Sequence, residues 1–394
     1  MNTSAITSWP LNVSNITLLD RIKLASFFIQ PKNKWTQDRH VTEFEKIMAN
    51  YIGCKYAVFV SSGSTANTLI SQYVKDLLKD TPNKNIVVLP STTWQTSCSP
   101  WIREGFKPHF IDISLDDFSI NKLKLEEYVK QNADNIACIF PTSLIGFTPD
   151  IDFYLKLQAK YGVRVYFDNC ENTLGKYNLK NVSAYFTSST STYFGHQVQS
   201  VEGGFIFTNS YEEYEYFLMN RNHGMTRSLK MYGLPNDKYK NNQVDELFDF
   251  YSLGNNFRNT DIHAFIGKLD FKRHDTYTSK RIELYNLYKN SLDRDKFYLC
   301  DSRPLCTDVP FCLPVISKKS QKLQIIQLCK DLSIEYRPII SGFLGYQTCY
   351  RKYFNEVSNY PNSINLHENG IYVGLYSRVS PKSILKFTEK LNQL

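Results

Sequence analysis

A loop of small, hydroxyl-bearing residues has the composition of an anion site. Gly63, Ser64 and Thr65 follow the apolar segment Tyr56–Val60 and precede a stretch whose apolar residues have helical spacing. Backbone N–H groups at a helix N-terminus attract phosphate, glycine lets an anion approach the backbone, and hydroxyl groups add donors. The same residues are also typical of a plain helix N-cap. By itself this loop leaves both phosphate binding and simple capping open.

Two other segments place chemically useful side chains directly after apolar segments. Asp168 follows Val163–Phe167, where a carboxylate can cap a helix, ligate a metal or pair with a ring nitrogen. Glu171 comes three residues later, which is the spacing of a capping box. Trp94 follows Ile86–Leu89, and its indole can stack on a planar ring or be an ordinary half-buried aromatic.

Ser191 and His196 lie in one segment that ends in Glu202-Gly-Gly204. Imidazole exchanges protons near neutral pH, so a histidine in a binding site is a natural acid or base. A lone histidine is more often a structural residue. This segment alone does not decide between the two roles.

An alternation of apolar segments and helical patterns must position these residues. Apolar residues have helical spacing from Val41 to Ile52 and from Leu69 to Leu78. The intervening short apolar segments are typical of buried strands: Tyr56–Val60, Ile86–Leu89, Ile136–Phe140, Val163–Phe167 and Phe205–Phe207. This alternation predicts an α/β domain with a mostly parallel sheet. Ligands of such sheets bind in loops at the carboxyl ends of strands, where the candidate residues fall.

The pattern changes near residue 266. We predict a long polar helix over Lys272–Leu292 and a final helix over Ser383–Leu391. Between them we predict strands over Val309–Val315 and Ile334–Ile340, separated by a helix over Ser320–Leu332. This predicts a large α/β domain with an N-terminal lead-in over residues 1–265, and a smaller α+β domain over residues 266–394.

Composition excludes several classes of function. The net charge of +8 is spread along the chain without a basic run, so we expect no nucleic-acid partner. No segment reaches the length of an apolar membrane span, and the N-terminus is not a secretory signal. The nine cysteines form no CxxC pair, so we expect no metal site, reduced thiols and a cytoplasmic protein.

Taken in order, these segments resemble the DegT-type sugar aminotransferase family of fold-type-I pyridoxal-phosphate enzymes. The resemblance rests on Arg39-His-Val-Thr-Glu-Phe-Glu45, Tyr56-Ala-Val58, Ser61-Ser-Gly-Ser-Thr-Ala-Asn67, Pro90 to Trp94, Asp168-Asn-Cys-Glu171, Leu174-Gly175, Glu202-Gly-Gly204, Asn222-His-Gly224 and Gly254-Asn-Asn-Phe-Arg258. It implies an aspartate aminotransferase-like large domain, a smaller α+β C-terminal domain, and a homodimer with active sites at the interface.

One position departs from the family pattern. A lysine normally lies six residues before the Glu of Glu-Gly-Gly, but that position is His196, and no lysine occurs between Asn181 and Arg227. Imidazole cannot form the internal Schiff base, so the resemblance implies a cofactor bound without a covalent link. A branch of the family, the GDP-4-keto-6-deoxymannose 3-dehydratases, resembles this chain in having histidine there.

The resemblance implies roles for individual residues. His196 would be the acid/base, Asp168 would hold the pyridine nitrogen, and Trp94 would stack on the ring. The other expected cofactor contacts are Gly63, Ser64, Thr65 and Ser191 at the phosphate, Glu171 near the ring hydroxyl, and Asn256 at the phosphate across the dimer interface. The implied cofactor is pyridoxal 5′-phosphate or pyridoxamine 5′-phosphate, and L-glutamate would regenerate the aminated form.

These implications predict a dehydratase that removes the C3 hydroxyl of a nucleotide-linked 4-keto-6-deoxy sugar, GDP-4-keto-6-deoxymannose first among the substrates. A dehydratase that acts on a dTDP or CDP sugar stays open as well. Two other classes also stay open: an aminotransferase that works without lysine, and a catalytically dead homologue that serves as a binding subunit. The branch has an Asn-His pair where this chain has Leu375-Tyr376, so sugar contacts from that segment stay open too. No Cys-x-Cys pair occurs, and we expect no iron–sulfur cluster.

Overall fold

The apolar segments and helical patterns form a layered α/β structure in the computed structural model, which describes residues 8–239, 241 and 243–394. Its strands are β1 (Tyr56–Val60), β2 (Ile86–Pro90), β3 (Lys107–Ile111), β4 (Ile136–Ile139), β5 (Phe167–Asp168), β6 (Lys176–Tyr177), β7 (Lys180–Asn181), β8 (Ser188–Ser191), β9 (Gly204–Thr208), β10 (Phe297–Tyr298), β11 (Cys306–Thr307), β12 (Cys312–Ser317), β13 (Tyr336–Pro338) and β14 (Gly370–Gly374). Its α-helices are α1 (Leu18–Ile29), α2 (Arg39–Ile52), α3 (Gly63–Leu77), α4 (Gln95–Arg103), α5 (Lys122–Asn132), α6 (Ile151–Tyr161), α7 (Tyr211–Asn220), α8 (Arg227–Lys230), α9 (Asp261–Phe271), α10 (His274–Ser291), α11 (Lys322–Asp331), α12 (Pro361–Asn369) and α13 (Pro381–Asn392).

The central sheet consists of two strand groups that meet edge to edge. Strands β3, β2 and β4 are parallel, and β5, β8, β9 and β1 form the second group. Isolated parallel bridges from Ile139 to Val165 and from Thr142 to Asp168 connect β4 with β5. Only β9 runs antiparallel to its neighbours β8 and β1. The prediction of an α/β fold with a mostly parallel sheet is confirmed.

The helices next to β1 show how sequence produces this architecture. Gly53 ends α2 in a left-handed conformation with φ 81°, which glycine adopts without steric cost. The apolar face of α2 places Phe44 against Phe59 of β1 and Phe205 of β9, with ring centroids 5.3 and 5.0 Å apart. All three rings are fully buried, so truncating one to alanine should cost about 3–5 kcal/mol. This packing fixes the strand that leads into the Gly63–Thr65 loop.

A smaller antiparallel sheet forms in the C-terminal part, with strand order β10-β12-β14-β13. Helices α10 and α13 pack together beside it. The N-terminal segment also joins this part, because Trp9 pairs with Ile334 and its indole donates to the carbonyl of Gly374 at 3.0 Å. The apolar core of this C-terminal part also includes Ile113 and Leu144, which belong to the predicted large domain. The division at residue 265 stays a prediction.

Most predicted elements occur, with two informative differences. The segment Val163–Phe167 forms only the two-residue strand β5 plus the bridge at Val165, because pairing with β4 is made by isolated bridges. Strand β8 consists of Ser188-Ser-Thr-Ser191, all buried, and its polar sequence carries no strand signal. None of the helices formed by the described residues has the length and apolar character needed to span a bilayer.

Candidate active site

Four loops that carry predicted site residues lie at one edge of the central sheet. Strands β1, β2, β5 and β8 all run in the same direction, so their carboxyl ends share an edge. The loop after β1 leads into Gly63, the loop after β2 contains Trp94, β5 ends at Asp168, and β8 ends at Ser191. This is the edge at which ligands of α/β sheets bind.

The N-terminus of α3 is capped by its own residues. The Ser62 hydroxyl accepts from the Thr65 N–H at 3.1 Å, and the Thr65 hydroxyl accepts from the Ser62 N–H at 3.0 Å. Ser64 shares a 2.8 Å hydrogen bond with the hydroxyl of Thr96 on α4. The N-cap is thus Ser62 and not Ser64 or Thr65, and this capping involves Thr65 only as the partner of Ser62 inside the helix. It is compatible with anion binding, because the helix dipole and the first N–H groups still face the site edge.

Close backbone contacts surround this helix N-terminus. A Cβ at Gly63 would lie 2.7 Å from the Cys170 sulfur and 3.0 Å from Cβ of Ser191. A Cβ at Gly204 would lie 2.5 Å from the nitrogen of Gly63. The absence of side chains at these two glycines lets β8, β9 and α3 meet. Ser191 thereby lies beside the Gly63 backbone, as predicted for two residues that bind one phosphate.

The carboxylate of Asp168 is buried and held by neighbours. Its Oδ2 accepts from Ser97 Oγ at 2.6 Å and from Asn67 Nδ2 at 2.9 Å, while Oδ1 accepts from the Cys170 N–H at 3.1 Å. Donors from α3, α4 and the following loop thus fix the carboxylate in one orientation. A fixed carboxylate at this edge can accept from a ligand N–H.

Glu171 lies three residues further, in a single turn of 3₁₀ helix. Its Oε2 accepts from the Ile145 N–H at 2.7 Å. Burial raises the pKa of this carboxyl to about 8, and the nearby charge of Asp168 acts in the same direction. Near neutral pH Glu171 is therefore largely protonated and can donate a hydrogen bond.

His196 lies in the loop between β8 and β9 and is half-buried. Its Nδ1 is buried and makes no hydrogen bond to any residue that the structure describes, while its ring centre lies 5.1 Å from that of Phe311. Burial lowers the pKa of His196 to about 4, the backbone of Cys170 and the charge of Asp168 oppose this shift, and Arg281 adds to it. The imidazole is therefore neutral at physiological pH and able to accept a proton.

Two predicted residues face solvent. The Trp94 side chain is 57% exposed at the start of α4, which leaves its indole free to cover a planar ligand. Asn256 is exposed as well, and its backbone bridges Asn222. The next residue, Phe257, accepts from the Ser61 N–H at 3.0 Å, so the Asn256 loop lies next to the loop before α3. Among the residues that the structure describes, no hydrogen bond joins the Asn256 side chain to the other predicted site residues.

The structure adds residues that sequence patterns missed. Asn67 and Ser97 orient Asp168, although both look like ordinary positions within helices. Asn12 donates to the carbonyl of Phe194 in the His196 loop at 2.5 Å, across 182 positions of sequence. Gln197 bonds to three backbone groups. No local signal marks such partners, because each depends on long-range packing.

Known proteins with similar sequences and structures include GDP-4-keto-6-deoxymannose 3-dehydratases. A relative named GDP-4-keto-6-deoxy-D-mannose 3-dehydratase, from Escherichia coli O55:H7, is 29% identical over 351 residues, or 86% of this chain and 88% of the relative. Among solved structures, an E. coli GDP-4-keto-6-deoxy-D-mannose-3-dehydratase with bound hydrated PLP has a TM-score of 0.86 at 25% identity, covering 97% of this chain and 98% of that one.

A second solved structure contains an adduct of PLP with glutamate. It is a GDP-4-keto-6-deoxymannose-3-dehydratase with a trapped PLP-glutamate geminal diamine, with a TM-score of 0.85 at 25% identity over 97% of this chain and 99% of that chain. The model of the DegT/DnrJ/EryC1/StrS aminotransferase family matches residues 25–392. The predicted resemblance is confirmed: this chain belongs to the DegT/DnrJ/EryC1/StrS aminotransferase family.

Proposed function

We propose that this chain is a pyridoxamine-phosphate-dependent dehydratase that removes the C3 hydroxyl of a nucleotide-linked 4-keto-6-deoxy sugar. One observation carries the proposal. His196, which cannot bind the cofactor covalently, lies at the sheet edge that also holds Asp168 and the N-terminus of α3. GDP-4-keto-6-deoxymannose is the favoured substrate because the similar enzymes from E. coli are named for it.

The residues present fit this cofactor. The contacts at Gly63 and Gly204 leave no room for a Cβ, which keeps the backbone bare where a phosphate would approach the dipole of α3. Asp168 is fixed by two side-chain donors and would hold the pyridine N–H. The exposed indole of Trp94 would cover one face of the ring, and Ser191 and Ser64 would add hydroxyl donors to the phosphate.

When bound, the aminated cofactor supplies an amine that joins the C4 ketone of the sugar and a ring that accepts electrons. Asp168 would keep the ring nitrogen protonated, which strengthens that capacity. His196 is neutral near pH 7 because burial lowers its pKa, so it can accept a proton from C4′ of the cofactor. The same imidazolium can then donate a proton to the C3 oxygen as the C–O bond breaks and water leaves.

Two further chemical features support dehydration. Glu171, whose pKa burial raises to about 8, would donate to the ring hydroxyl. Position 196 carries no amine, so nothing at this position competes with the sugar for the cofactor. Hydrolysis would then release the 3-deoxy-4-keto sugar and ammonia, and glutamate would supply the amine for the next turnover. The trapped glutamate adduct in a similar enzyme supports glutamate as donor.

The two alternatives are less well supported. Aminotransferases of this family normally use the amine of a lysine at position 196, and the chain has no lysine between Asn181 and Arg227. A binding subunit without catalysis has no physical need for the hydrogen bonds that orient Asp168 or for a neutral imidazole beside them. Both are separate outcomes of the experiment below.

Mass spectrometry of the sugar product tests the proposal. The protein is incubated with pyridoxal phosphate, glutamate and the GDP-, dTDP- or CDP-linked 4-keto-6-deoxy sugar. We expect loss of the C3 oxygen, fastest with the GDP sugar. A stable amino sugar would establish the aminotransferase instead. Cofactor binding without turnover of any sugar would contradict both enzymes and leave the binding subunit.

We also propose a homodimer with Asn256 reaching the partner's site. The segment before Asn256 exposes several large apolar side chains: Leu247, Phe248, Phe250, Tyr251 and Leu253. Contiguous exposed apolar residues of this kind mark interfaces in well-folded proteins. Their closeness along the chain to Asn256 supports an interface beside the site.

The cytoplasm is the compartment we propose. All nine cysteines are free thiols in the structure, and five of them are buried, as suits a reducing environment.

A further inference from the structure

The residue after His196 makes an unusual set of contacts. The Gln197 side chain is 3% exposed, and its amide bonds only to backbone groups. Oε1 accepts from the Leu174 N–H at 2.8 Å, while Nε2 donates to the carbonyl of Glu171 at 3.1 Å and to that of Val309. One side chain thus joins the His196 loop to two segments that are distant in sequence.

Both segments border the imidazole. The first contains Glu171 and begins at Cys170, whose backbone opposes the lowered pKa of His196. The second leads from Val309 to Phe311, whose ring lies 5.1 Å from the His196 ring. The amide of Gln197 therefore sets the spacing between the groups that enclose His196.

These two segments are also tied to each other. Ile145 donates its N–H to Glu171 Oε2 at 2.7 Å and accepts from the Phe311 N–H at 2.7 Å. Buried Arg281 donates to the Phe311 carbonyl at 3.0 Å. Within this network, Gln197 is the residue that follows His196 directly in the sequence.

Glutamine is suited to this position by its chemistry. A primary amide offers two donor hydrogens and an acceptor, which matches two carbonyls and one N–H. Methionine has a similar shape but would leave all three buried backbone groups without their partner. A carboxylate would place negative charge against two carbonyl oxygens.

We infer that Gln197 is a positioning residue that holds the His196 imidazole, with its Nδ1 buried, between the Cys170 backbone and the Phe311 ring. The inference rests on the proposed function for its kinetic consequence, but its structural content concerns the protein's own residues. Misplacing a catalytic group by about 1 Å can cost about 100-fold in rate.

The test compares Gln197→Met with Gln199→Met in the full chain. Gln199 is buried in the same loop at 5% exposure, but it donates to Asp270 Oδ2 through its backbone N–H and not through its side chain. Imidazole resonances are followed by NMR over a pH titration, and the His196→Asn spectrum identifies those of His196. We expect Gln197→Met to raise the pKa of His196 toward 6.5, because water enters, and Gln199→Met to leave it unchanged.

Kinetics provide the second readout. Gln197→Met should lower kcat for dehydration by roughly tenfold or more with little change in KM, since the positioning acts on the proton-transfer step. An unchanged His196 pKa together with unchanged kcat would overturn the inference. An equal effect of Gln199→Met would overturn it as well, by showing that any buried glutamine of this loop matters.

Two controls show whether a negative result comes from a misfolded variant or from an error in the proposed function. Circular dichroism and Tm show whether Gln197→Met is folded. If it is not, Gln197→Glu serves instead, because its protonated carboxyl keeps the shape, the acceptor for Leu174 and one donor. This variant loses one of the two donor hydrogens and can ionise, so we expect it to raise the pKa of His196 above that of the parent. A pKa that is the same as in the parent throughout overturns the inference. Failure of the parent to dehydrate any sugar would refute the proposed function while the titration still decides the role of Gln197.

Discussion

At the scale of single residues, position 196 decides which chemistry the site can support. A neutral imidazole can exchange a proton but cannot hold the cofactor covalently. His196→Lys should therefore bind pyridoxal phosphate covalently, because the new amine can condense with the aldehyde. Borohydride reduction followed by mass spectrometry should find the cofactor fixed to residue 196. Dehydration should fall about 100-fold or more, the usual contribution of a general acid–base group.

His196→Asn is the matched control for this substitution. It removes proton transfer without adding an amine, so it should lose dehydration to a similar extent while cofactor is still removed by dialysis. If His196→Lys dehydrates as fast as the parent, the acid–base role of His196 is wrong. If His196→Asn retains full rate, another group moves the proton.

The protonation of Glu171 should make the stability of the folded protein depend on pH. Its pKa is raised to about 8 from an ordinary value of 4.5, so the folded state holds a proton that the unfolded state releases. The stability from this group is fully present below pH 4.5 and is lost as pH rises through about 8. Glu171→Gln removes the titration but keeps an oxygen for the Ile145 N–H.

We therefore expect the free energy of unfolding of Glu171→Gln to increase relative to that of the parent as pH rises from about 5 to about 8. Urea unfolding without added cofactor measures the difference, and Glu127→Gln, at an exposed position on α5, is the control. A difference that does not vary with pH would show that Glu171 titrates in its ordinary range.

At the scale of elements, the sequence predicts some parts of the site much better than others. Strand β1 and helix α3 were predictable, because their apolar periodicity is a local signal, whereas the capping box of Ser62 and Thr65 was not predicted. Strand β8 was not, since Ser188-Ser-Thr-Ser191 is buried through contacts with β5 and β9 rather than through its own hydrophobicity. The orientation of Asp168 by Asn67 and Ser97 depends on the packing of α3 against α4 and was equally invisible.

A substitution at the junction of α3, β8 and β9 should weaken cofactor binding. Gly204→Ala would place a Cβ 2.5 Å from backbone atoms of Ser62 and Gly63, which must move the N-terminus of α3. We expect weaker binding of pyridoxal phosphate, by roughly tenfold or more, because a shifted helix end no longer presents its N–H groups to the phosphate. Fluorescence or absorbance titration with the cofactor measures the Kd.

Gly195→Ala is the control for this substitution. A Cβ at Gly195 would come no closer than 3.8 Å to Tyr193, so the loop keeps its place. The control variant should bind the cofactor as the parent does. Equal Kd values for Gly204→Ala and the parent would show that the α3 N-terminus does not contact the phosphate.

At the scale of the whole molecule, contacts between distant segments complete the site. Trp9 is buried against the C-terminal sheet, and Asn12 reaches the carbonyl of Phe194. The N-terminal segment carries no sequence pattern that indicates a function, yet it connects the C-terminal sheet to the His196 loop. Sequence periodicity reports which face of an element is buried, but not which distant segment covers it. That is why the roles expected for the site residues came from the family resemblance and not from sequence periodicity.

The proposed homodimer makes the sharpest prediction at this scale. If Asn256 acts in the partner's site, His196→Asn and Asn256→Asp chains are each inactive or impaired alone but complement each other when mixed. In a mixed dimer, one site takes His196 from one subunit and Asn256 from the other, both unaltered, while the second site carries both changes. Random exchange of subunits should therefore leave about one quarter of the sites intact, as follows from twofold symmetry.

Dehydratase assays before and after subunit exchange, together with analytical ultracentrifugation, measure this complementation. Leu253→Asp provides the matched disruption, because Leu253 is fully exposed in the single chain and a charge there would be buried in a dimer through this surface. It should shift the protein toward monomers and abolish recovery in the mixture. A dimer that shows no recovery of activity would contradict the role of Asn256 across the interface, and a monomeric parent would contradict the homodimer itself.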